Sequence, residues 1–243
     1  MSELDSYLLP VSTTEQERER RAEVAVLPVG SFEQHGAFLP LITDTVIAVT
    51  VARAVTEGRP VLHLPPVTIS CSHEHAAWPG TVSISASTLY AVVNDVAESL
   101  RRSGVDTLVV VNGHGGNYVL SNVVQEAGLR RQAMGLFPTE TDWLAARAAA
   151  GVETPQDSDM HAGELETSIL LHAHPRLVRD DYAEHDALAD ERDHMLSLGL
   201  AAYTESGVVG RPSLASAEKG RKALASLAAS FGELLRALST SSS

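Results

Sequence analysis

The chain reads as a single-domain α/β protein, a mostly parallel sheet flanked by helices on both faces. Three observations predict it. Short, almost wholly apolar runs, Val24 to Val29 and Thr107 to Val111, suit strands covered on both sides. Strand, loop and helix patterns alternate with short connections, the order of a doubly wound fold. Across 243 residues there is no internal repeat and no linker long enough to divide two domains.

Residues 1–22 are polar and end in the charge run Glu15 to Arg21, which fits a surface helix or a loose arm. The domain proper spans 23–238. It opens with the strand Val24 to Val29, stopped by Gly30. Thr45 to Val55, rich in alanine and valine, fits a buried helix. Pro60 to Leu64 reads as a second strand, ended by Pro65 and Pro66. From Ser87 to Arg102 the apolar positions Leu89, Val92, Val93, Val96, Ala97 and Leu100 follow helical spacing, with Ser87 able to cap the start. Thr107 to Val111 is the strongest strand. A helical stretch then runs from about Tyr118 to Met134. Ile169 to Leu171 belongs to an apolar helix that ends before Pro175. Asp180 to Glu205 is polar and less periodic, fitting an inserted helix with loops. Ser216 to Leu238 carries Leu224, Leu227, Phe231, Leu234 and Leu238 on one stripe, and 239–243 reads as a flexible tail.

Composition excludes several function classes. Asp and Glu outnumber Lys and Arg by 31 to 18, giving a formal net charge of −13. Nucleic acid and anionic membranes attract basic surfaces, so neither is expected as a partner. No apolar run approaches the ~20 residues of a membrane span, and the start, with Glu3 and Asp5, lacks the pattern of a signal peptide. The single cysteine, Cys71, rules out an internal disulfide and fits a reducing compartment. The expectation is a soluble cytoplasmic protein with ten histidines to explain.

Chemistry collects after the strands. Glu33, Gln34, His35 and then Asp44 follow the first, Ser72, His73, Glu74 and His75 the second, and His114 the third. In open α/β sheets, ligands bind at the carboxyl ends of strands, so three loops bring acids and histidines to one edge. Glu33 and His35, two apart in extended chain, point the same way, and carboxylate beside imidazole suits zinc, manganese or iron. A carboxylate at Asp44 could bridge two ions. The plainer alternative is a surface Glu, a packed His and a helix-capping Asp. The glycines around His114 permit unusual backbone angles, and the N–H groups of Gly115 and Gly116 could hold a substrate oxygen. His161 and Glu164 share a face, with Glu166 turned away, if the helix begins before His161. If it begins at Gly163 that geometry fails, and the acids could simply favour a helix N-terminus. A lone Cys71 reads as a small buried hydrophobe rather than a nucleophile.

Together these segments resemble the creatininase family of metal-dependent amidohydrolases. The carriers are Leu27 to Gly36, Leu39 to Asp44, Ser72 to His75 with Pro79 to Ser83, Asn112 to Asn117, His161 to Ser168, and Gly207 to Pro212 through Glu218 to Gly220. The resemblance implies two divalent metal ions per chain (Zn²⁺, Mn²⁺ or Fe²⁺), cleavage of a C–N bond, and a homo-oligomer, commonly a hexamer. Carried over by position, Glu33, His35, Asp44 and His114 are metal ligands, with Asp44 bridging. A further family ligand, a glutamate, falls on Gly116, so Glu166 is the replacement and Glu164 the reserve. His161 matches a residue placed for proton transfer, with Glu164 as its possible helper. Ser72, Glu74, His75, Gly115 and Gly116 are the substrate-binding candidates. Gly115, where creatininases carry a bulky aromatic, and Phe38, where the family usually has histidine, argue against creatinine itself. The expected chemistry is hydrolysis of an amide, cyclic amide or formamide of a small molecule by a metal-bridged hydroxide. A mycofactocin-type precursor-peptide peptidase and a non-catalytic metal or small-ligand binder are the alternatives.

Overall fold

Four strands, β1 (Val24–Val29), β2 (Val61–His63), β3 (Thr107–Asn112) and β4 (Ala133–Phe137), form one parallel sheet in the order β2-β1-β3-β4. The computed structural model describes residues 8–241. From β1 the chain passes out to β2 at one edge, then crosses back to β3 on the other side of β1. The register pairs Val24 with Thr107 and Val29 with Asn112, so the loops leaving β1 and β3 start side by side. This is the switch point at which ligands bind in such sheets.

The helices follow from the two-residue alternation of the strands. Val26, Val109, Val111 and Phe137 face one layer, built by α2 (Thr43–Val55), α5 (Glu140–Ala150), α6 (Glu164–Ala173) and α8 (Ala217–Ser241). Ala25, Leu27, Leu108 and Val110 face the other, built by α3 (Ala86–Arg102) and α4 (Val119–Leu129). Phe231 of α8 meets Phe137 edge to face, centroids 5.1 Å apart, both rings buried. Burial of one such ring contributes about 1.5–3 kcal/mol. α1 (Thr14–Arg20) buries nothing and is held by a capping box between Thr13 and Gln16, as its polar sequence predicts for a surface helix.

One close approach positions the site. A side chain at Gly30 would overlap the Thr45 backbone, and one at Gly113 would overlap Asp44 O and Ala48. The ends of β1 and β3 therefore abut the first turn of α2, which sets Asp44 between them.

The structure departs from the sequence reading in several places. The stretch expected to be helical to Met134 breaks at Leu129, turns through Arg131 at φ 55°, and becomes β4. α5 has no counterpart in that reading. Its alanines carry little periodicity, and its start is marked only by the Thr139 and Asp142 capping box. Ser85, not Ser87, caps α3. Asp180 to Glu205 holds 3₁₀ turns and the single helical turn α7 (Met195–Leu198) rather than a full helix. α8 continues through Ser241, into the segment read as a tail, while 242–243 lie outside the described residues. No helix among the described residues is long and apolar enough to cross a membrane.

Candidate metal centre

Beyond β1 the chain is pinned in extended form, with Glu33 N–H donating to Leu41 O and Val82 N–H to Phe32 O. Glu33 and His35 thus project toward one point, as their spacing predicts, and both are fully buried. Asp44 arrives in the first turn of α2, but it does not cap the helix. Its Oδ1 lies 2.9 Å from His35 Nε2, its Oδ2 lies 3.0 Å from His114 Nδ1, and Ser31 Oγ–H donates to Oδ2 at 2.6 Å. The capping alternative is therefore wrong, and the carboxylate is 1% exposed.

Glu33 Oε1 sits 3.2 Å from His75 Nε2, 3.2 Å from His114 Nδ1 and 3.7 Å from His161 Nδ1. Neither Glu33 oxygen makes a hydrogen bond among the described residues. A buried carboxylate left this way is costly, several kcal/mol on the scale of about 3–5 for a broken buried pair. A cation in direct contact removes that cost, so the orphaned oxygens fit a metal.

The outer nitrogens fit it too. His35 Nδ1–H donates to Glu33 O at 3.1 Å, His114 Nε2–H to Cys71 O at 2.8 Å, and His161 Nε2–H to Gln34 O at 2.6 Å. A carbonyl only accepts, so each neutral ring turns a lone pair toward the centre, the arrangement of metal-binding imidazoles. Three groups bring ligand atoms within 4.8 Å of one another: Glu33 with Asp44 and His114, His35 with Asp44 and Glu166, and Glu33 with His35 and His161. Asp44 belongs to the first two.

Charges respond to this crowding. Burial pulls His35 down, but Asp44 beside it, helped by Glu166 and Glu33, pushes it up to about 9. His114 is held well above its usual value, burial being outweighed by Glu33 and Asp44. Burial, relieved only in part by His35, pushes Glu166 up to about 8. His161 goes the other way, driven well down by burial and by His35 and His75, whose rings each lie 4.2 Å from its own. In the metal-free protein, protons stand where cations would.

The last motif is arranged differently from its helical reading. α6 begins at Glu164 with Gly163 as its cap, so helical spacing does not apply to His161. Ala162 adopts φ 51°, a left-handed conformation that costs a non-glycine residue about 1–2 kcal/mol. Its N–H so turned donates to Glu166 Oε2 at 2.6 Å. Glu166 enters the centre, and Glu164 does not. Glu164 is fully buried elsewhere, accepting from Glu153 N–H, Thr154 N–H, Thr154 Oγ1–H and Lys219 Nζ. Its expected catalytic or ligand part is corrected: that carboxylate is spent holding α6 to its neighbours.

Of the other candidates, His75 is buried in the cluster. Glu74 Oε1 lies 3.4 Å from His114 Nε2 on the side away from Asp44. Ser72 is buried with its Oγ unpaired among the described residues. Gly115 is exposed with open space above it. Neither Gly115 nor Gly116 takes a left-handed backbone, so the conformational freedom they permit is not what the turn uses. Gly116 instead makes room, since a side chain there would overlap Glu74 Oε1 and His114 Nε2. Cys71 is buried, and burial pushes its thiol up, which suits a packed hydrophobe. A cleft of about 670 Å³, lined by His73, Glu74, Gly116, Tyr118, Leu196 and Leu198, borders the cluster through Glu74 and Gly116. The sequence reading misses Ser31 and gives Gln34 no part. Their only signal is position, interleaved with Glu33 and His35 on the same loop.

The family profile for creatininase, described as creatinine amidohydrolase, matches residues 11–235. The chain is 35% identical over 225 residues to a mycofactocin precursor peptide peptidase of Mycolicibacterium smegmatis, covering 89% of this chain and 85% of that protein. It is 25% identical to a creatinine amidohydrolase of Pseudomonas putida, covering 81% and 82%. A solved mutant creatininase of Zn-Zn type shares the fold at TM-score 0.78 and 24% identity, covering 93% and 96%. The chain belongs to the creatininase family.

Proposed function

We propose that the protein is a binuclear metal-dependent amidohydrolase whose substrate is a peptide amide rather than creatinine. The class rests on the family, whose members include a creatinine amidohydrolase and a deformylase, both acting on carbon–nitrogen bonds. The observation that carries the metal reading is Asp44, buried and with its two oxygens facing His35 and His114 separately. In this reading Glu33, Asp44 and His114 hold one ion, and His35, Asp44 and Glu166 the other. Imidazoles mixed with carboxylates and no thiolate suit Zn²⁺, Mn²⁺ or Fe²⁺. Such ions, when bound, polarise the scissile carbonyl and acidify water.

The chain's own residues do the rest. Ser31 and the backbone carbonyls of Glu33, Gln34 and Cys71 fix the orientation of the ligands. His161, neutral through burial, turns its Nδ1 lone pair inward, where it can accept a hydrogen bond from a water or a substrate N–H. Ser72, Glu74, His75, Gly115 and Gly116 are the substrate contacts in this reading. Glu166 supplies the carboxylate absent at Gly116, so the ligand set is complete, which favours an enzyme over a non-catalytic binder.

A peptide substrate is supported by the 35% identity to the mycofactocin precursor peptide peptidase, against 25% to the creatinine amidohydrolase. The open space above Gly115 supports it as well. A cytoplasmic homo-oligomer belongs to the same reading. The test is to strip the protein with chelator, reload it with Zn²⁺, Mn²⁺ or Fe²⁺, and assay it on peptides, formamides and creatinine. Metal-dependent release of a peptide fragment is expected. Full activity without metal overturns the mechanism, and activity confined to small cyclic amides overturns the peptide substrate.

A further inference from the structure

We propose that Gln34 fixes the His75 ring with its hydrogen on Nε2, so that His75 offers the centre a hydrogen-bond donor where the other three buried histidines offer lone pairs. The Gln34 side chain is 5% exposed and fully engaged. Gly36 N–H donates to its Oε1 at 2.9 Å, which identifies the oxygen end of the amide. Its Nε2 donates to Gly207 O at 3.1 Å and lies 2.8 Å from His75 Nδ1. An amide nitrogen has no lone pair to offer, so His75 Nδ1 must accept. That leaves the ring hydrogen on Nε2 and excludes the doubly protonated ring, whose Nδ1–H would face the amide hydrogens of Gln34.

The Nε2–H so placed is on the side of the centre, its nitrogen 3.2 Å from Glu33 Oε1 but not hydrogen-bonded to it. His35, His114 and His161 have the opposite arrangement, each spending its outer N–H on a backbone carbonyl. A neutral, fixed donor suits the carbonyl oxygen of a substrate, whose negative charge grows as the carbonyl carbon is attacked. Gln34 is thus a positioning residue acting through His75. The part played by the donor rests on the proposed hydrolase centre, whereas the tautomer does not.

The experiment is long-range ¹H–¹⁵N correlation on histidine-labelled protein, metal-free and Zn²⁺-loaded, with His75 assigned through His75→Gln. The expected spectrum shows an unprotonated Nδ1 and a protonated Nε2 at His75 in both forms. Gln34→Glu replaces the donor by an acceptor and should move the hydrogen to Nδ1. With metal content unchanged, kcat on the peptide substrate should fall about a hundredfold, the scale of losing one oxyanion donor, with little change in KM. A wild-type His75 carrying its hydrogen on Nδ1 overturns the proposal, and this spectrum decides even if Gln34→Glu fails to fold. A swapped tautomer with unaltered kcat overturns the donor role. Failure to bind metal defeats the hydrolase reading separately, since the metal-free spectrum still reports the tautomer.

Discussion

Lys219 Nζ lies 2.6 Å from Glu164 Oε1, tying α8 to the first turn of α6. The carboxylate is fully buried and the lysine side chain 17% exposed, and the ammonium also reaches Leu214 O and Glu153. Removing one partner of such a pair leaves the other charge stranded. Lys219→Ala should therefore cost about 3 kcal/mol, the lower end for a broken buried pair, because the lysine keeps some contact with water. Replacing both residues, Glu164→Gln with Lys219→Met, should cost less than the single change. Urea unfolding of the wild type and both variants checks this, and a double variant weaker than Lys219→Ala would refute it.

In the proposed centre Asp44 belongs to two candidate ligand groups and Glu166 to one, so the two residues should differ on mutation. Asp44→Asn should lose both ions and cut activity at least ~1,000-fold, since ligand loss and lost transition-state charge compound. Glu166→Gln removes a member of only one ligand group, so it should retain about one ion per chain. Metal analysis after gel filtration separates the cases. Two ions retained by Asp44→Asn would end the bridging assignment.

How much of this was legible in the chain depends on what kind of signal each part leaves. β1 and β3 announce themselves because both faces are buried, so nearly every residue is apolar. β4 hides because Ala133, Met134 and Gly135 suit a helix end as well as a strand, and only its pairing with β3 decides. Glu33, His35, Asp44 and His114 are readable since each follows a strand or opens a helix at the same edge. Glu164 and Glu166 are not separable by spacing, and only the family resemblance ranks Glu166 first. The distinction comes from where the helix starts and from the left-handed turn at Ala162, a tertiary event with no local signature. Gln34 and Ser31 act through side-chain hydrogen bonds to residues far along the chain, which spacing does not report.

The metal-free protein should weaken as pH rises. His35 has a folded value of about 9 against 6.5 unfolded, so its contribution is full below pH 6.5 and lost as pH climbs through about 9. Glu166, raised from 4.5 to about 8, acts in the same direction, because the folded state holds its proton over that window. The same protons compete with cations, so metal affinity should rise across this range, up to about tenfold per pH unit for each proton displaced. The melting temperature of metal-free protein between pH 6.5 and 9, with calorimetry in buffers of different ionisation heat, measures both effects. A flat melting temperature and no proton release on metal binding would contradict the picture.

Gly116 provides the sharpest test of how the rim of the site is packed. The Glu74 carboxylate lies over this glycine and faces His114 Nε2 at 3.4 Å. That nitrogen is the outer one, already donating to Cys71 O, so Glu74 steadies the ring from behind while Nδ1 faces Asp44. Gly116→Ala brings a methyl onto both Glu74 Oε1 and His114 Nε2. Glu74 is 13% exposed and borders the open cleft, so it can swing outward, whereas His114 is held on both nitrogens. The expected result is a displaced Glu74, a stability loss of about 1–3 kcal/mol from overpacking, and metal affinity reduced ~10–100-fold through the lost outer contact. Glu74→Ala should reproduce the affinity change without the stability loss, as it removes the carboxylate and adds no bulk. Titrations of both variants with Zn²⁺, alongside thermal melts, compare them directly. Unaltered affinity in Glu74→Ala would mean that Cys71 O alone orients the His114 ring.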